Sequence, residues 1–436
     1  MGRKIEALEC LRGLAALVVV ANHLLIGFAP FRSGEFAGAR PHPVIGSLWN
    51  GLFNGAAAVS FFFVLSGFVL SWGVFRVGEA DGETVGAVAR GLLKRWPRLA
   101  GACTLAVLFS WALFAGGLYR YVEAAGITGS PWLVDFGYAG LPPDFHPSFA
   151  AALASGAVWT FLRGDTLFDS ALWTMRPEIA GSFAVLLLAP ALHILRRPVP
   201  ILLLSVAVLG FDLRIYVAQF IAGALLARMM WGRSFAVGPI AACCAIALAY
   251  VLFAFNGAVG DYRWLDPVMP TDWHYFAILW VPAAMLTIFV AMSSPWLGRL
   301  LSGRWARGLG RLSFPIYLLH MPVLCSLGAW VLVRSASVLP IHLAVVLACI
   351  ATVLGTLAVA WPLGAFDRWW VRCLNRGVAR LCSAPPPSQP GYRPIRSILN
   401  GSIICTTGLR KRSSDSDSCI ATASSPSSRV SSIERE

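Results

Sequence analysis

Long apolar blocks alternate with short polar intervals along most of the chain. A helix needs about twenty mostly apolar residues to cross the hydrocarbon core of a bilayer. Ten blocks approach that length, at 11–29, 54–75, 99–118, 178–195, 199–213, 215–231, 236–255, 274–292, 313–333 and 341–363. The fifth is short and almost runs into the sixth. The stretch 149–162 is Ala-rich and interrupted by Ser155 and Gly156, and reads as an interfacial or re-entrant piece. The first block follows Arg3 and Lys4, as a signal peptide would, but Glu6, Glu9 and Arg12 crowd it and no small-x-small site follows promptly. It reads as a retained helix. The pattern predicts an all-α integral membrane protein with about ten transmembrane helices.

Composition agrees. The chain is 57% hydrophobic and 13% charged, whereas soluble domains carry about 25% charged residues. This excludes a soluble enzyme, a disordered regulator and a nucleic-acid-binding domain. The net charge of +14 does not reverse that conclusion, because the basic residues are scattered between apolar runs as topology signals are. With the N-terminus placed in the cytoplasm, the inner segments hold the denser groups, Arg90 to Arg98 and Arg299 to Arg311. The longer outer segments hold fewer, among them Arg120, Arg163 and Arg176. Ten spans return the C-terminus to the cytoplasm. The expected setting is the cell membrane, inner or plasma, with the lipid bilayer as a partner and no nucleic acid.

Residues 1–382 read as one membrane-embedded domain. From 383 to 436 the chain turns Ser-rich with mixed charge after Pro385-Pro386-Pro387, which predicts a disordered cytoplasmic tail. The ten cysteines include no CxxC pair, so no metal site is expected. Walker A, GxSxG, HExxH and Rossmann patterns are also missing.

Ionisable groups inside spans are costly and mark function by default. Arg12 and His23 are eleven residues apart, which puts them on one helix face roughly 16 Å apart along the axis. They line one path, with Arg12 near the cytoplasmic end. Ser313, Tyr317 and His320 recur at spacings of four and three and share another face. Glu178 follows Pro177 at the outer start of a span, where it suits a helix N-terminus electrostatically or serves at a pathway mouth by orienting a histidine or binding hydroxyls. Arg90, Lys94, Arg95 and Arg98 form a dense cluster suited to phosphate, or to anionic lipid. The outer loop 119–177 is long enough to suggest function. Its Trp132, Asp135, Trp159 and Asp169 are candidates for shaping specificity.

These pieces resemble the acyltransferase-3 family of integral membrane acyltransferases. The matching segments are Leu11-Arg12-Gly13-Leu14-Ala15-Ala16 with His23, Phe61-Phe-Phe-Val-Leu-Ser66-Gly67-Phe, Arg95-Trp-Pro-Arg98-Leu, Leu172-Trp173-Thr174-Met175 with Glu178, Phe220-Ile-Ala-Gly223, and Ser313-Phe-Pro-Ile-Tyr317-Leu-Leu-His320. They occur in the family's order over roughly residues 5–365. The resemblance implies a ten-helix core that moves an acyl group, usually acetyl, from cytoplasmic acyl-CoA to a hydroxyl of a carbohydrate or related acceptor. It implies catalytic roles for Arg12, His23 and Glu178, and a CoA-binding role for the Arg95/Arg98 pair, with Arg90 and Lys94 beside it. Ser313, Tyr317 and His320 stand as polar positions of the pathway. Histidine suits the base that O-acyl transfer requires, and either His23 or His320 could fill that role. The alternative is a carrier or flippase for a lipid-linked or polysaccharide substrate. The missing ATP motifs and inverted repeats count against it. A third reading is a scaffold that has lost activity.

Overall fold

The computed structural model describes residues 2–36, 43–81, 84–142, 145–194, 214–257, 259–269 and 276–383. The expected fifth span, 199–213, and the tail from 384 onward lie outside the described residues. Among those described, the chain is helical and has no strand. The main helices are α1 (Gly2–Phe28), α2 (Gly55–Asp81), α3 (Thr84–Ala115), α4 (Phe149–Leu162), α5 (Met175–Ile194), α6 (Arg214–Met230), α7 (Pro239–Ala254), α8 (Ala277–Ser293), α9 (Arg304–Ala336) and α10 (Ile341–Ser383).

Six of these helices, α1, α2, α3, α5, α9 and α10, are long and apolar enough to cross a bilayer. The protein is therefore a multi-pass membrane protein. The remaining four run to 14–17 residues, about 21–26 Å at helical rise. That is short of the roughly 30 Å of a hydrocarbon core.

Two helices outrun the apolar blocks that predicted them. α3 begins at Thr84, so the basic cluster from Arg90 to Arg98 is helical. α10 continues past residue 363 to Ser383. Leu, Ala, Arg and Lys are all good helix formers, so the backbone need not stop where the apolar pattern does. Pro97 sits inside α3, and its carbonyl accepts from Trp370 Nε1 at 2.7 Å, which ties α3 to the extended part of α10.

Small residues set two tight helix crossings, as is common where lipid supplies no hydrophobic drive. At the crossing of α2 and α6, a methyl on Gly67 would clash with the Phe220 carbonyl, and one on Gly223 with the Val64 carbonyl. At the crossing of α1 and α9, a methyl on Gly13 would strike Leu309, and one on Gly310 the backbone of Glu9. The second crossing lets the polar residues of α1 and α9 reach one another. One cavity is bordered by the N-terminal parts of α1, α3 and α9, by most of the length of α2, by the first turn of α5, and by the C-terminal parts of α6, α8 and α10.

At the opposite end, the expected outer loop folds into short helices, Tyr121–Thr128 and Pro131–Val134 before α4 and Ser170–Thr174 before α5. It is pinned to the bundle. Ser130 Oγ donates to the Ile26 carbonyl at 2.7 Å, and the Arg120 amide to the Cys325 carbonyl at 3.0 Å. α4, expected as an interfacial or re-entrant piece, is helical throughout with a π turn at Ser155–Trp159, and Gly156 packs closely against Thr104 of α3.

Candidate active site

A cavity of about 1140 Å³ opens at the arginine-rich end of the bundle. Six arginines line it: Arg12, Arg76, Arg95, Arg98, Arg233 and Arg311. They face three carboxylates, Glu9, Glu178 and Asp367. Aromatic residues, including Phe62, Phe68, Trp72 and Trp231, supply much of the apolar wall, with Trp72 and Trp231 edge to face at 4.8 Å. A positive excess over apolar walls suits an anionic ligand with an organic body. Arg76, Arg98, Arg233 and Arg311 are exposed, so their guanidinium groups remain available at the entrance.

Deeper in the cavity, Arg95 and Glu178 form a buried ion pair. Arg95 Nε also donates to Ser182 Oγ at 2.8 Å, and Ser66 Oγ donates to Glu178 Oε1 at 3.0 Å. Ser182 Oγ in turn donates to the Glu178 carbonyl at 2.6 Å. The four residues lock α2, α3 and α5 together. Glu178 sits in the first turn of α5, the helix N-terminus that its sequence position predicts. Its partner there is Arg95 of α3 rather than a histidine.

On the neighbouring wall, Arg12 Nε donates to Ser313 Oγ at 2.9 Å and Arg12 Nη2 to the Gly310 carbonyl at 3.2 Å. Tyr317 follows one turn along α9 at the inner end of the cavity. Its hydroxyl lies 2.8 Å from both Thr174 Oγ1 and the Ala171 carbonyl. Its ring meets Phe62 edge on at 5.9 Å.

His320 lies three residues further along α9, about 4.5 Å along the axis. It is fully buried, and its Nε2 is 2.7 Å from Nδ1 of His23. The indole of Trp132 stacks on His23 with ring centroids 5.0 Å apart. Trp132 is held by an unusual turn. Phe136, Gly137 and Tyr138 all have positive φ, at 48°, 71° and 62°. For Phe and Tyr this left-handed backbone costs about 1–3 kcal/mol each, and such strain clusters at functional sites. A side chain on Gly137 would run into Ser170 Oγ, Met321 and Trp132.

The structure thus brings Arg12, Arg95, Arg98, Glu178, Ser313 and Tyr317 to one cavity and His23 with His320 directly beyond it. Arg90 and Lys94 are not in the cavity lining, and Lys94 Nζ donates to Asn375 Oδ1 at 3.0 Å. Of the outer-loop candidates, Trp132 reaches His23. Trp159 instead takes the guanidinium of Arg163 over its ring at 4.1 Å, and Asp169 is fully buried with Oδ1 accepting the Ala171 amide at 3.0 Å. Sequence reasoning missed Arg76, Arg233, Arg311 and Asp367 as cavity residues. The three arginines read as topology charges, and Asp367 falls beyond the last apolar block.

A family model described as an acyltransferase domain matches residues 5–361. That range takes in every predicted site residue, and Asp367 alone among the cavity's charged groups lies past it. No curated protein and no solved structure matches the chain.

Proposed function

The chain belongs to this family of acyltransferases, and on that premise we propose that it is a membrane O-acyltransferase using acyl-CoA, with acetyl as the acyl group. The acceptor is a hydroxyl of a carbohydrate or related molecule. The arginine end of the bundle faces the cytoplasm, where acyl-CoA is available. The observation that carries this reading is the arginine-lined cavity that ends at Tyr317, one helical turn short of the His23–His320 pair.

The chemistry divides along that axis. The phosphates of CoA pair with Arg98, Arg76, Arg233 and Arg311 at the entrance, since guanidinium groups bind phosphate through two parallel N–H bonds. Arg12 adds positive charge further in. Arg95, neutralised by Glu178, shapes the wall. The acyl thioester reaches past Tyr317 to His23. The acceptor hydroxyl enters from the opposite end, beside Trp132. His23 removes the hydroxyl proton as the oxygen attacks the thioester carbonyl, the C–S bond breaks, and CoA thiolate leaves and takes up the proton. A base so placed supplies typically 10²–10⁴-fold.

The test is acyl transfer from labelled acetyl-CoA by the purified chain in proteoliposomes supplied with candidate glycans. Label in the acceptor that depends on His23 supports the reading. Movement of an acceptor across the vesicle without consumption of acetyl-CoA would favour a carrier instead.

A further inference from the structure

The contacts of the two histidines fix where the ring protons sit. His320 Nδ1 lies 2.7 Å from the Tyr317 carbonyl oxygen. A carbonyl only accepts, so that nitrogen carries the hydrogen. His320 has no exposed surface, and a cation there would cost several kcal/mol in lost hydration. The ring is therefore neutral and its Nε2 is a bare acceptor. That bare nitrogen lies 2.7 Å from His23 Nδ1, so His23 donates from Nδ1. A neutral His23 then has its lone pair on Nε2, and no described residue donates to it. The ring centroids are 5.0 Å apart with an interplanar angle of 11°, and the facing nitrogens are 2.7 Å apart, so the rings meet edge to edge and nearly coplanar and the shared hydrogen stays close to both ring planes.

We infer that His320 is a positioning residue that holds His23 in the Nδ1–H tautomer and so presents Nε2 as the basic atom. The chain of donors runs from His23 Nδ1 to His320 Nε2, and from His320 Nδ1 to the Tyr317 carbonyl. Its last acceptor is backbone, so the relay carries no net charge. When Nε2 takes the acceptor's proton, the imidazolium keeps its Nδ1–H bond to His320 and does not need to rotate. A ring free to rotate or change tautomer would present N–H toward the hydroxyl for part of the time. This role rests on the acyltransferase reading for its purpose, although the tautomer itself is a property of the resting protein.

The experiment is nitrogen NMR of the full chain in nanodiscs, labelled with ¹⁵N-histidine, with His23 signals assigned by their loss in His23→Ala. The resting protein is expected to show a protonated Nδ1 and a bare Nε2 on His23. In His320→Leu the proton should move to Nε2 in part of the population. The turnover number should fall about tenfold, short of the roughly 10²–10⁴-fold that loss of the base itself costs, while KM for acyl-CoA stays within about twofold. His320→Gln offers a carboxamide oxygen to the same N–H, and should keep the Nδ1–H tautomer and recover most of the lost rate. A His23 that carries hydrogen on Nε2 in the resting protein overturns the inference. So does a His320→Leu protein with the same tautomer and the same turnover number. If His320→Leu fails to fold, the resting spectrum and His320→Gln decide the matter. The spectrum needs no substrate, so a wild-type protein that transfers no acyl group refutes the proposed function and leaves the tautomer result standing.

Discussion

Arg95 on α3 and Glu178 on α5 close a buried ion pair inside the cavity, and each is about nine-tenths shielded from solvent. The pair links two helices that are far apart in sequence, and it gives Glu178 a partner other than a histidine. Removing one member leaves the other charge buried without compensation, a loss of about 3–5 kcal/mol. Arg95→Met and Glu178→Leu should each lower the midpoint of thermal unfolding in detergent. The double variant should be more stable than the sum of the two losses predicts, because the stranded charge is gone. Strictly additive losses would mean that the pair contributes nothing as a pair.

The crossing of α2 and α6 leaves no room for a methyl at Gly67 or Gly223, where backbone carbonyls of the partner helix lie against the Cα. Forcing extra volume into a packed contact costs about 1–3 kcal/mol, and more where backbone must move. Gly67→Ala and Gly223→Ala should therefore reduce the yield of folded protein in size-exclusion profiles. Gly377→Ala is the control, since nothing lies within 4 Å of the added carbon and Ala favours helix over Gly by about 1 kcal/mol. Equal yields for all three would contradict the close crossing.

Within the basic cluster of α3, position relative to the cavity should decide function. Arg98 lines the cavity and Lys94 is bound to Asn375 outside it. A hydrogen bond to a charged group contributes about 1.5–3 kcal/mol. Arg98→Ala should therefore raise KM for acyl-CoA about 10- to 100-fold with little change in turnover number, and Lys94→Ala should leave both unchanged. Steady-state kinetics with varied acyl-CoA separates the two. Equal effects would mean that the cluster acts through general charge.

Much of the bundle is legible in the apolar blocks, and the shared faces of Arg12 with His23 and of Ser313, Tyr317 and His320 follow from helical spacing alone. Contacts between helices do not. The approach of His23 to His320 depends on Gly13 and Gly310 letting α1 and α9 meet, and one sequence carries no sign of which helices cross. The cluster on α3 read only as an inner segment between spans because charge interrupts hydropathy, whereas the helix begins at Thr84 and continues through Pro97. Asp367 was hidden in the same way. α10 continues past its apolar stretch and carries a carboxylate to the cavity beside Arg12 and Arg98.

The role proposed for His23 is that of the base at the end of the cavity. Its most direct measurement is the single-turnover rate of acyl transfer from labelled acetyl-CoA to a hydroxyl acceptor in proteoliposomes, wild type against His23→Ala, with acetyl-CoA binding measured on the same samples. His23→Ala is expected to bind acetyl-CoA as the wild type does and to transfer the acyl group about 10²–10⁴-fold more slowly. Transfer by His23→Ala at the wild-type rate would contradict that role.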